Sequence, residues 1–454
     1  MKRKLNINKQ DGFTLVELMV TLVVFMFVIV AASNIFSGLL NQFKQQSRIA
    51  ESNIEGIIGL EMFRHDIEQA GNGLPWNLCS GNPVFCVTYT EADSTSPYAT
   101  YNDSPLNPPR AVDIGDGLAV GAKSWQSAGQ AFKSDELVIK AANIATNAAS
   151  QKWTHIVKMV PNASNVLMTW GAPAPPAAAG PPTTEDLDRR NGSADYVIVL
   201  DPGTTTGQRI LMNDGTNFYT QLSKDNNNFS FNNGSTTTSY GFEPRTDTQN
   251  AFVVYGIKPY NTSTNEGKAV PRMPFNRADY YIDSPATNFP TRCATSELPK
   301  AQRTTGVLYK SVISHYDGTR SAPLPLLDCV ADMRVMALGS DGAGGGGIDL
   351  QWPPVPSYAT DPSAAQTIAS QLREIKVYIL AQEGQKDPSF TFTNFTGSAC
   401  PGGCSTCVYV GNPQTCDGRN FDLSKISANS SGTNDYLHYR WKVYTIAATP
   451  YNLR

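Results

Sequence analysis

Charge is scarce in this chain, and histidine is scarcer. Acidic and basic residues together fill 17% of 454 positions, and imidazole occurs only at His65, His155, His315 and His438. No two of these histidines stand at metal-ligand spacing. A phosphate-binding loop with its lysine is missing, as is a nucleophile elbow, so an enzyme reading has no feature behind it. The formal net charge is -3, which argues against nucleic-acid binding through a broadly basic surface. Proline is absent from Phe13 to Ala70, and no charge falls between Leu18 and Phe43. Nothing in that stretch is built to break a helix or to hold it in water.

What is present is apolar and loop-rich. Apolar residues make up 41% and aromatics 10%, enough for a sizeable core. The 36 glycines and 30 prolines, with many Asn, Ser and Thr, point to an extracytoplasmic kind of surface. The length suits one elaborated domain or two.

The N-terminus reads MKRKLNINKQDG and then FTLVELMVTLVVFMFVIVAA. A basic flank before an apolar run marks the end that stays in the cytoplasm. The 26 uncharged residues Leu18–Phe43 would span roughly 39 Å as a helix, against about 30 Å of hydrocarbon. A secretory signal peptide cut near Ala32 is the competing reading. Against it, Glu17 interrupts the apolar region, and Phe36, Leu39, Leu40, Phe43, Ile54, Ile57, Ile58 and Met62 continue the pattern at spacings of three and four. The helix is predicted to run to Ala70 and to stop at Gly71 and Pro75.

The stretch GFTLVELMV resembles the class III signal of type IV pilins and type II secretion pseudopilins. The resemblance implies cleavage between Gly12 and Phe13 by a prepilin peptidase, with methylation of the new Phe13 amine. Glu17 matches the family's glutamate, the fifth residue of the mature chain. An acid in a membrane helix is costly, about 2.5–3.5 kcal/mol at its centre and less near an end. The positive end of the helix dipole and the Phe13 amine make Glu17 tolerable. In a filament its carboxylate would meet the Phe13 amine of a neighbour and set the subunit register. The chain departs from major pilins in lacking their mid-helix proline, although Asn34 and Gly38 offer soft points.

Beyond the helix, strand-like runs appear at 135–142, 153–160, 195–200, 252–258, 306–315, 329–338, 373–381 and 439–448. A short helix is predicted at SAAQTIASQL, with Asp361 as N-cap and Pro362 in its first turn. The segment APAPPAAAGPP (172–182) reads as a stiff linker, and DNNNFSFNNGSTTTS (225–239) as a polar surface excursion. Three further stretches resemble PilW-type minor pilins: FRHDIEQAGNG (63–73), the strand and glycine loop of 325–352, and the final pair LREIKVYILAQ and HYRWKVYTIAATPYNLR.

All eight cysteines, Cys79, Cys86, Cys293, Cys329, Cys400, Cys404, Cys407 and Cys416, lie past the membrane helix. An even number in an oxidising compartment predicts disulfides. The expected pairs are Cys79–Cys86 and Cys293–Cys329, with two bonds inside 400–416. That cluster lacks the doubled CxxC spacing of a zinc site. Asp341 and Asp349 stand in a glycine loop where related proteins sometimes hold calcium, but alternating ligands are missing and a flexible loop is preferred. No cofactor is expected.

The resulting expectation is an α+β, pilin-like fold. A leader (1–12) precedes a long helix (13–70, about 13–40 in the membrane), which packs on an antiparallel β-sheet body (71–454) with large loop insertions around 85–300. The resemblance implies a non-enzymatic minor pilin that primes or caps a type IV pilus, with a possible role in adhesion or motility. Its partners would be prepilin peptidase, other minor pilins, the major pilin and the inner-membrane assembly platform. The body would be periplasmic before assembly and would then sit in the extracellular filament or at its tip. A type II secretion minor pseudopilin of the J type and a tip adhesin are the alternatives.

Overall fold

The run of helix formers after Thr14 makes one continuous helix, α1 (Leu15–Glu68). The computed structural model describes residues 14–80, 85–115, 134–162, 165–170, 195–203, 209–225, 228–232, 242, 252–261, 263–300, 303–340, 350–352, 355–359, 361, 363–426 and 435–453. The helix ends where the chain reads Ala70-Gly71-Asn72-Gly73. Gly71 and Gly73 take φ of 80° and 66°, a region open to glycine and strained for other residues. A Cβ on Gly71 would also strike the Leu453 side chain. By compactness the chain divides inside this helix, at Ile54/Glu55. The described part of the first unit is helix alone. The second holds the rest of α1 and all the strands.

After α1 come β1 (Cys79–Ser80), β2 (Phe85–Cys86), β3 (Val112–Gly115) and β4 (Glu136–Ala141). The middle of the chain supplies β5 (Trp153–Asn162), β6 (Asn165–Trp170), β7 (Tyr196–Asp201), β8 (Ile210–Leu211), β9 (Thr220–Asp225), β10 (Asn228–Asn232) and β11 (Phe252–Lys258). A one-turn helix, α2 (Asn265–Lys268), leads to β12 (Asn276–Asp283), β13 (Gly306–Val312), β14 (Leu324–Gly339) and β15 (Leu350–Trp352). Then follow α3 (Ala364–Gln371), β16 (Leu372–Glu383), β17 (Cys407–Val410), β18 (Arg419–Asp422) and β19 (Arg440–Ala448).

The main sheet has the order β19-β16-β14-β13-β12-β4-β3, with β15 beside β14, and its pairings are antiparallel. Between β4 and β12 the chain builds a second antiparallel sheet, β10-β9-β7-β11-β5-β6. The insertion is therefore itself a sheet, and β10 turns part of the predicted polar excursion into a strand. The segment 172–182 lies outside the described residues. Each of the eight strand-like runs coincides with a strand. The helix α3 starts later than predicted, with Ser363 as N-cap. Asp361 instead accepts from the Ser363 amide and from the Ser363 and Thr367 hydroxyls.

Both faces of the main sheet are covered. In β16, Ile375, Val377, Ile379 and Ala381 point into the core that α1 closes with Leu60, Phe63 and Ile67. Tyr378 and Leu380 point the other way, into a cluster with Val408, Phe421 and Trp441, as the two-residue period of a strand requires. The segment 87–111 lies over β3, β4 and β12 partly on charge. Lys140 Nζ sits 2.6 Å from Asp103 and 2.8 Å from Glu91. Arg110 pairs with Asp103 and Asp113, both at 2.6 Å, and Arg277 pairs with Asp279 at 2.8 Å. Lys140, Glu91, Arg277 and Asp279 have no exposed surface, so each depends on its partners.

Candidate functional site

Thr14-Leu15-Val16-Glu17 has the form Ser/Thr-x-x-Glu, the signature of a capping box, and the structure forms one. The Thr14 amide and hydroxyl both donate to Glu17 Oε2, each at 3.0 Å. In return the Glu17 amide donates to Thr14 Oγ1 at 3.3 Å, and the first helical bond runs from the Leu18 amide to Thr14 O at 3.2 Å. The first N–H groups of any helix lack intrahelical partners, and in hydrocarbon no water replaces them. Glu17 and Thr14 satisfy two of them between themselves. The carboxylate in turn gains two donors and the positive end of the helix. Glu17 therefore has partners within its own chain before any neighbour arrives. The sequence reading missed Thr14, although its pattern was there to be read.

The 26 residues Leu15–Leu40 form an apolar helix long enough to cross a membrane, with its most apolar part unburied. The only acid within it is Glu17. Thr21 turns its hydroxyl back onto the Leu18 carbonyl at 3.0 Å, so this polar side chain is also satisfied inside the helix. A helix that is apolar all round, with no protein covering it, suits lipid or other helices.

In the second unit the other end of α1 is fixed by shape and charge. Gly59 faces the backbone of Leu326, where a Cβ would overlap the carbonyl, and a Cβ on Gly56 would lie 2.8 Å from Leu327 Cδ1. The two glycines let the helix lie directly on the start of β14. One turn later Phe63 stacks on Tyr280 with ring centroids 4.4 Å apart. Asp66 is buried, pairs with Lys310 Nζ at 2.6 Å and accepts a hydrogen bond from the Tyr280 hydroxyl. Burial, and then the Asp66 charge, push the Tyr280 phenol well above its ordinary pKa, so it remains a donor. Arg209 closes the helix end by donating to Gly71 O at 3.0 Å. His65, on the helix flank, is exposed.

The cysteines form four disulfides: Cys79–Cys86, Cys293–Cys329, Cys400–Cys416 and Cys404–Cys407. Among the described residues, Cys404, Cys407 and Asp422 place ligand atoms within 4.8 Å of one another. Both sulfurs are already bonded, so neither is a thiolate able to hold a metal. Asp341 and Asp349 lie outside the described residues, as do Gly12 and Phe13, so the geometry places none of these four. Of the processing and assembly residues read from the sequence, the structure shows Glu17.

Residues 7–33 match the family described as the prokaryotic N-terminal methylation motif. No curated protein and no solved structure matches the chain. The matched segment holds the Gly12–Phe13 junction, the capping box and the first half of the apolar helix. It supports a role like that of a type IV pilin or pseudopilin, with processing by a prepilin peptidase and assembly with pilus components. Together with Leu15–Leu40 it fits a membrane-anchored, pilin-like chain.

Proposed function

We propose that this chain is a minor pilin of a type IV pilus that primes or caps filament assembly through its N-terminal helix. Prepilin peptidase removes residues 1–12 and methylates Phe13. Helix 13–70 then anchors the subunit in the inner membrane, with the body 71–454 in the periplasm. On assembly the helix leaves lipid for the helices of other minor pilins, the major pilin and the assembly platform, and the body ends outside the cell at or near the tip. The role is structural rather than catalytic. One observation carries this reading: the methylation motif opens an apolar helix whose single acid, Glu17, is held by Thr14 at the helix start. A body of some 400 residues (Glu55–Arg454) adds support, since it would crowd every repeating position of a thin filament and suits a terminal one.

The capping box changes how Glu17 acts. The carboxylate does not wait unpaired in the membrane. It is held in position by Thr14, with lone pairs left over for the Phe13 amine of a neighbouring subunit. The test is Glu17→Gln, scored by mass spectrometry of sheared surface filaments and of membranes. The expected result is a trimmed, methylated chain in the membrane and its loss from filaments. Equal incorporation of variant and parent would refute the assembly role. A methylated Phe13 in the parent's filaments checks processing separately.

A further inference from the structure

We infer that a cleft beside Trp76 is a binding site for neutral sugar rings. The cleft holds about 440 Å³ and is walled by Trp76, Asn77, Leu106, Pro108 and Gln366 beside Cys79. Ligand pockets run from roughly 300 to 1,000 Å³, so one or two sugar rings fit.

The aromatic wall is fixed before any ligand arrives. The Trp76 amide donates to Arg209 O at 2.9 Å, and the Trp76 carbonyl accepts from Gln366 Nε2 at 3.1 Å. The Arg209 guanidinium lies 4.6 Å from the indole centroid and is itself tied to the carbonyls of Gly71 and Asn452. A ring held in this way loses little freedom when a ligand stacks on it, which favours binding. Leu106 contributes an aliphatic side chain that is 65% exposed.

The polar groups narrow the ligand class. Asn77 lines the cleft; its Oδ1 accepts from the Cys79 amide at 2.9 Å, and its side chain carries two amide N–H donors besides. Gln366 has spent a donor on Trp76, which leaves its carbonyl oxygen as an acceptor. None of the described lining side chains is ionisable, the cysteine being bonded to Cys86. An aromatic wall, an aliphatic wall and two side-chain amides, both with N–H donors and Gln366 with its carbonyl oxygen as an acceptor, match a ring with C–H faces and peripheral hydroxyls. A charged ligand would be desolvated with no counter-charge among the described lining side chains, Arg209 being engaged behind the indole with two carbonyls, and a wholly apolar one would strand the two amides. The chemistry therefore selects a neutral pyranose. This site goes beyond the pilin reading and does not depend on it, because the cleft lies within the second unit.

The experiment uses the full chain in detergent micelles. Glucose, galactose, mannose and N-acetylglucosamine are titrated by saturation-transfer NMR, with sialic acid and a proline-rich peptide as comparison ligands. At least one neutral sugar should bind saturably. Its affinity should fall by about three- to tenfold, the worth of one stacking contact, in both Trp76→Ala and Leu106→Arg. Leu106→Arg changes an exposed residue, so it stands as a test even where Trp76→Ala fails to fold. The inference is overturned by any of three results: no neutral sugar binds, binding is undiminished in Leu106→Arg, or sialic acid or the peptide binds in preference.

Discussion

Asp66 offers the sharpest test of how the pilin-like helix is held to its body. It is buried on α1, 244 residues from Lys310 and 214 from Tyr280, and it satisfies both. In Asp66→Ala, Lys310, only 4% exposed, is left buried without its carboxylate partner, and the Tyr280 hydroxyl loses its acceptor. Breaking a buried pair from one side costs about 3–5 kcal/mol, and stranding the hydroxyl adds about 1–3 kcal/mol. Asp66→Asn returns an acceptor to Tyr280 but leaves the ammonium unpaired, so its cost should fall toward the lower figure. Lys310→Met leaves Asp66 charged beside Tyr280 and should cost a similar amount. The double variant Asp66→Asn/Lys310→Met is neutral at both positions and should recover to within about 1–2 kcal/mol of the parent. The assay is urea unfolding of the full chain in detergent micelles, followed by near-ultraviolet circular dichroism. Hydrogen exchange over residues 55–68 should quicken in the single variants and recover in the double. If the double loses as much as the two singles summed, the charges are not coupled and the account of the anchor is wrong.

Other expected outcomes follow from the same physics. His315 is buried, its Nδ1 accepts from the Arg272 amide, and its Nε2 meets Asn276 Oδ1 at 3.1 Å. Burial, then the Lys258 and Arg272 charges, lower its pKa to about 3, so between about pH 6.5 and 3 the unfolded chain binds a proton that the native state refuses. The stability due to the neutral ring is complete above pH 6.5 and is lost as pH falls, by about 2 kcal/mol at pH 5. His315→Gln should lose less between pH 7.5 and 5 in urea midpoints, and an equal loss would refute this assignment. Alanine in a helix normally gains up to about 1 kcal/mol over glycine, but Gly59→Ala forces α1 off Leu326 and should cost about 1–3 kcal/mol. Gly38→Ala, with nothing within 4 Å, is the control, and thermal melts showing equal shifts would contradict the close approach. Thr14→Val removes the hydroxyl but keeps the shape, and should weaken the helix start by about 0.5–2 kcal/mol. Faster amide exchange at residues 15–18 in micelles is the readout, and unchanged exchange would mean that the box contributes nothing.

By itself the sequence determined what local chemistry decides. The long helix was legible from its 3.6-residue pattern and the absence of proline, and its end from Gly71. The strands of the main sheet announced themselves wherever both faces are buried in hydrocarbon, as in REIKVYILA and CVADMRVMAL. The methylation motif was readable because its residues are neighbours along one chain. The capping box is just as local, since Thr14 and Glu17 stand three residues apart.

Tertiary structure alone decided the rest. β12 carries no legible strand pattern, because NRADYYID reads as polar. Arg277 and Asp279 are buried by partners such as Asn102 and Arg320 that lie far away along the chain, and no local pattern encodes them. The same holds for Asp66 with Lys310, for the glycines that meet Leu326 and Leu327, and for the cleft where Trp76, Leu106 and Gln366 converge. A periodicity reports which way a side chain faces; only the folded chain supplies what it faces. Helix, strand and processing signal follow from neighbours in sequence, whereas the anchor and the cleft come from residues that only folding brings into reach.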